Sequence, residues 1–218
     1  MSMNPVPQLT PSEIAMLNAN PEGGNVLFGN LMRELENAKA SSQPLLERVL
    51  NAALRANEVV GVFEYRPSTQ RALLGLRPRT RLVADITGTV FAWPEPSLEA
   101  SLIQLYEDLS RQGEPVMVAA LVKKWLSTAA VGHLQAAIEW FYGCLVTRGW
   151  VRQESSERLH LFQFKQYVIP ESTCRLLNRT PWWDPMTVAS QESAHRFDCA
   201  EILQREVRSA LCSLNSPS

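Results

Sequence analysis

Three groups of residues have the types and spacing to do chemistry. Asp85, Thr87, Gly88 and Thr89 form the run LVADITGTVF, an aspartate near a strand end, a hydroxyl two residues on, and a Gly-Thr turn. An aspartate so placed can attack a phosphoryl group and carry it as an aspartyl phosphate. His195 and Cys199 stand one helical turn apart, a spacing that lets two side chains share a metal, although a zinc site needs a third or fourth ligand. Arg66, Arg71, Arg77, Arg79 and Arg81 fall within 16 residues that contain no Asp or Glu, and guanidinium groups are suited to phosphate oxygens. Nothing else competes: G-x-S-x-G, the P-loop and G-x-G-x-x-G are absent from the sequence.

The Asp85 run resembles the first motif of haloacid-dehalogenase-type phosphotransferases and of P-type ATPases. That resemblance implies a lysine and a later acidic pair holding Mg²⁺ beside the phosphorylated carboxyl. No G-D-x-x-x-D stands downstream, Lys123 and Lys124 fall in a helical segment, and alternating β-α units do not follow. A bend between two strands explains the same residues, and His195 with Cys199 reads as a helix face against a core. The expectation is therefore a protein that is not an enzyme, with no cofactor and no metal.

Composition sets the outer limits. At 218 residues, 45% hydrophobic and 20% charged, the chain can bury one large core or two small ones. A formal charge of −1 means that any contact with nucleic acid must come from a local patch. No apolar run reaches 18 residues and the start lacks the features of a signal peptide, so no membrane association and a cytoplasmic location are expected. Cys144, Cys174, Cys199 and Cys212 are widely spaced, which predicts free thiols.

Residues 1–24, rich in proline, predict an extended arm with one short helix, started by Thr10-Pro11-Ser12-Glu13 as a capping box and expected to lie on a partner. Helices are predicted from about Val26 to Glu36 and, after the Ala40–Gln43 break, from Pro44 to Asn57, with Leu45, Val49, Leu50, Ala53 and Leu54 as one apolar stripe. VVGVFEYR reads as a strand, and LVADITGTVFAW as two short strands about Thr87-Gly88. Ser97 then caps a helix lined by Leu98, Leu102 and Tyr106 that stops at Gly113. A shorter helix turns Val118, Leu121, Val122 and Trp125 inward and Lys123 and Lys124 out. The clearest stripe is Leu134, Ala137, Ile138, Phe141, Tyr142 and Leu145, ended by Gly149. WVRQ and RLHLFQF follow as strands joined by a turn from Glu154 to Glu157. Beyond Pro170 come a short helix with Cys174 and Leu177, the Trp182-Trp183 turn, and an amphipathic helix carrying Phe197, Ala200, Leu203, Val207 and Leu211.

Helix, helix, longer helix and hairpin over 97–170 resemble a winged-helix domain, the helix-turn-helix variant in which the third helix enters the DNA groove and the hairpin is the wing. The fold class expected is thus a helix-rich α+β chain: an arm at 1–24, a smaller helical and β-hairpin domain at 25–96 that reads as a degenerate second copy, the winged helix at 97–170 and a helical extension at 171–218. The resemblance implies double-stranded DNA as partner, held by Arg66, Arg71, Arg77, Arg79 and Arg81, with Gln135, Arg148, Arg152 and Arg158 on the third helix and wing. The outward face of that helix, however, carries Glu139 and Trp140 and no cation before Arg148. A second reading stays open: an adaptor resembling the tandem winged-helix subunits that bridge SMC-type machines. In that reading Trp140, Trp182 and Trp183 touch protein and the chain is a homodimer or a complex subunit.

Overall fold

The computed structural model describes residues 8–18, 26–28, 32–70, 79–129, 134–158, 162–179 and 194–214. Among them the chain is a helix-rich α+β protein with two small antiparallel sheets. The elements in order are α1 (Pro11–Asn18), β1 (Val26–Phe28), α2 (Met32–Val59), β2 (Phe63–Gln70), β3 (Arg79–Ile86), α3 (Leu98–Ser110), α4 (Val118–Ala129), α5 (Leu134–Thr147), β4 (Arg152–Arg158), β5 (Phe162–Val168), α6 (Glu171–Arg179) and α7 (Ala194–Leu214).

Helix α2 is the centre. Leu46, Val49, Leu50, Ala53, Leu54 and Asn57 form one fully buried stripe, and Ala52, Arg55 and Ala56, which lie off that stripe, are buried as well. An apolar stripe covers one side of a helix that rests on a single layer; burial around most of the circumference requires neighbours on every side. Those neighbours are α1, α3, α5, α7 and β2. The Val26–Glu36 segment is not the predicted helix: it opens as strand β1, and α2 begins at Met32. Nor does the helix break at Ala40–Gln43. Pro44 lies inside α2, although an interior proline costs a helix about 3 kcal/mol. Its ring is exposed, so it displaces no core contact, and the turns that follow are held by the buried residues from Leu46 onward.

The two sheets interlock. β2 and β3 form one hairpin, and β4 and β5 the other. β1, from the first half of the chain, adds to β5 with Leu27 opposite Gln166. In return, the residues just before α4 join β3: Val83 bridges Met117, and the Ala84 amide donates to the Val116 carbonyl at 2.9 Å. The first half therefore lends strand β1 to the second hairpin, the second half lends a single bridge to the first, and backbone pairing crosses the junction near residue 96 twice.

The hairpins differ from their predicted form. LVADITGTVFAW supplies one strand, β3, whose partner is β2; the stretch after Thr87 is not a strand, and its Val90 is 94% exposed. The valine and phenylalanine there have β propensity but no strand beside them. In the second hairpin Glu154 to Glu157 continue β4 and are not the turn.

Local caps form as their residues dictate. The Thr10 amide donates to Glu13 Oε2 at 2.7 Å and the Glu13 amide to Thr10 Oγ1 at 3.4 Å, a reciprocal capping box. Ser97 Oγ accepts the Ala100 amide at the start of α3. Gly149, at φ +77°, lets Trp150 N reach back to the Leu145 carbonyl at 2.9 Å and so ends α5. The predicted stripe on α5, Leu134 to Leu145, is buried throughout. α1 is no arm, though, since Ser12, Glu13, Ile14, Met16 and Leu17 are all buried and the helix lies on α2. The apolar face of α7 is likewise covered from within, by α4, α2 and β3.

Candidate nucleic-acid interface

The arginines of the first hairpin sit on strands and not on a loop. The register sets Arg66 opposite Val83, Ser68 opposite Arg81 and Gln70 opposite Arg79, so Arg66, Arg79 and Arg81 share one face of the two-stranded sheet. The other face carries the buried Phe63, Tyr65, Leu82 and Ala84. Arg71 and Arg77 lie outside the described residues.

Arg66 already has a partner: its Nε donates to Asp85 Oδ2 at 2.6 Å. The aspartate of the phosphotransferase-like run is thus one half of a cross-strand ion pair, while the Thr87 hydroxyl donates to the Gly61 carbonyl. Beside this pair runs a groove of about 480 Å³, lined by Arg66, Asp85, Tyr106, Glu114 and Val116. Its lining sets one cation against two acids, with Arg66 already held by Asp85, which disfavours a phosphate. No cluster of three His, Cys, Asp or Glu able to hold a metal occurs among the described residues.

Arg148 is not a phosphate contact. Its side chain is 8% exposed, its Nη1 donates to Glu13 Oε1 at 2.7 Å and its Nη2 to the Gln8 carbonyl at 2.6 Å, and its guanidinium lies over the Trp150 ring. It closes a buried polar cluster in which Glu99 accepts both the amide and the hydroxyl of Ser12, each at 2.9 Å. Burial pushes the Glu13 carboxyl up to about 7, against the pull of the Thr10 amide and Arg148, and also raises Glu99. Beside them the Cys144 thiol is pushed up to about 12, first by burial and then by Glu13, so it is inert at neutral pH. All four described cysteines are free thiols.

The third-helix candidates divide. Gln135 is half-buried in the first turn of α5, Arg152 is exposed on β4, and the Arg158 side chain is outside the described residues. Trp140 is not left to solvent: it meets Trp125 edge to face at 5.6 Å and Phe141 at the same distance. Trp182 and Trp183 lie outside the described residues.

The cations separate once their partners are known. Arg55, Arg66, Arg111, Arg148, Arg175 and Arg208 each hold a carboxylate. Among the described residues no such partner is found for Arg79, Arg81, Lys123, Lys124, Arg152 or Arg205. All of these but Arg152 stand on β3, α4 and α7, which pack on one another. Three of them, Arg81, Arg205 and Lys123, act electrostatically on Glu206, which is 8% exposed, and its Oε2 lacks any hydrogen-bond partner among the described residues. Burial raises the Glu206 carboxyl, and the three cations pull it back. The outward placing of Lys123 and Lys124 was legible in the helical period. Arg205 and Glu206 were not, because only the docking of α7 on β3 brings them there; Arg205 Nη2 bonds the Thr80 carbonyl at 2.8 Å.

No protein family, curated protein or solved structure matches the chain. No helix among the described residues is long and apolar enough to cross a membrane.

Proposed function

We propose that the chain is a non-catalytic, DNA-associated protein built from two interlocked winged-helix units, a regulator or a subunit of a DNA-handling complex. The observation that carries this reading is the repeated order of its elements. The second half runs α3, a single bridge to β3 at Met117 in the place of a strand, α4, α5 and the β4–β5 hairpin. The first runs α1, β1, α2 and the β2–β3 hairpin, with the single long α2 in place of two helices and Pro44 where a break between them would fall. Helix, strand, two helices and wing is the winged-helix order, and paired units of this type commonly address a duplex. The test is the affinity of the full chain for a labelled duplex at low and at physiological salt. Tight binding that weakens steeply with salt supports the reading, and no binding at low salt ends it.

A second reading, the winged-helix adaptor that contacts protein, is favoured by one specific observation. Val90 is 94% exposed, Phe91 44% and Val59 46%, at the junction between the halves. Val90 and Phe91 are consecutive, and large apolar side chains left in water mark contact sites. Sedimentation across concentrations, wild type against Val90→Lys, reads whether that strip holds a second copy of the chain.

A further inference from the structure

We propose that the corner where β3, α4 and α7 meet is the surface that grips the backbone of duplex DNA, with Arg81, Lys123 and Arg205 as its phosphate contacts. This rests on the DNA-associated reading and moves the contact away from α5, the helix that usually enters the groove.

Three observations carry it. The first is the partition of cations, since those on this corner form no ion pair among the described residues, whereas Arg55, Arg66, Arg111, Arg148, Arg175 and Arg208 do. Arg81, Lys123 and Arg205 against Glu206 and the exposed Glu201, one helical turn before Arg205, leave an excess of one when both acids are ionised, and Lys124 and Arg79 raise it at the edges. Such an excess within one patch attracts a polyanion even though the whole chain carries a formal charge of −1.

The second is geometric. Lys123, Arg205 and Arg79 are exposed and Arg81 half-exposed, on three elements that buttress one another. Arg79 and Arg81 stand two residues apart on the same face of β3, about 6.8 Å along the strand, or about two steps of the 3.4 Å rise of one DNA strand. The third is the burial of Glu206. At 8% exposure its carboxylate is withdrawn from the surface that a phosphate would meet.

By contrast, α5 offers Glu139 on its exposed face, and Arg148 at its end is spent on Glu13. A duplex laid along α5 would meet an acid first.

The experiment measures the anisotropy of a labelled duplex of about twenty base pairs against the full chain between 50 and 200 mM salt. Three phosphate contacts should make wild-type affinity fall roughly 40-fold over that range. The triple variant Arg81→Ala, Lys123→Ala, Arg205→Ala should lower the log-log slope by about 2.7. Because Arg205 also bonds Thr80, Lys123→Glu alone serves as a surface variant that keeps the fold, verified by its melt, and should weaken low-salt binding at least several-fold. The pair Arg66→Ala and Arg208→Ala, cations held by acids, should leave the slope as it is. Binding whose slope survives both the triple variant and Lys123→Glu overturns this surface while leaving the DNA reading standing. An equal loss in the control pair overturns it too, and a wild type that fails to bind at 50 mM overturns the DNA reading with it.

Discussion

Arg148 and Glu13, 135 residues apart in the chain, meet at 2.7 Å between Nη1 and Oε1 with both side chains almost wholly buried. The pair fastens the end of α5 to the first turn of α1. It explains why the N-terminal helix lies in the core and why the one cation at the end of α5 is not offered to a ligand.

Arg148→Ala should therefore destabilise the fold by about 3 kcal/mol at pH 8, since removing one partner leaves a buried charge uncompensated. The cost should shrink at pH 5, where Glu13 takes up a proton. Urea unfolding of wild type and variant at the two pH values tests this, and equal midpoints at pH 8 would show that the pair contributes nothing.

Stability should also fall as pH rises through neutrality. Glu13 is raised in the folded chain from 4.5 to about 7, and Glu99 shifts the same way, in both cases chiefly by burial. A raised folded value means that the native state binds more protons than the unfolded one above pH 4.5. Their contribution is then complete below that value and is lost as the pH passes 7. For Glu13 the range is on the order of 3 kcal/mol. Glu13→Gln should flatten the profile between pH 5 and 8; a wild-type midpoint that climbs over this interval would contradict the assignment.

Phe141 is 1% exposed on the buried stripe of α5. Phe141→Ala should open a cavity and cost about 3 to 5 kcal/mol. A thermal melt reads this directly, and an unchanged Tm would remove α5 from the core.

Trp140 makes its contacts within the chain, against Trp125 and Phe141. Trp140→Ala should cost about 1 to 2 kcal/mol of folding stability, from the lost aromatic pairs and their buried area, and leave the oligomeric state unchanged. Light scattering beside a melt checks both halves. A change in assembly at constant stability would return Trp140 to the role of a partner anchor.

The parts of this protein written in short-range pattern were legible from the residues alone. The stripe from Leu134 to Leu145, the inward Val118, Leu121, Val122 and Trp125, the Thr10 and Ser97 caps and the Gly149 stop depend on residues three to five apart, which helical geometry brings together whatever the rest of the chain does. The helix-rich α+β class follows from the same signals. Pairings made at long range were hidden. β1 against β5, Val83 against Met117, Glu13 against Arg148 and the cations around Glu206 join segments whose separation leaves no periodic trace. The arginine run shows the division most clearly. Its residue types were plain in the sequence, but which of them keep a free charge was decided by folding, because a guanidinium is available to a ligand only when the fold has put no carboxylate beside it. Arg66 acquired Asp85 across the hairpin, while Arg81 was carried to a corner where α4 and α7 supply two further cations around Glu206.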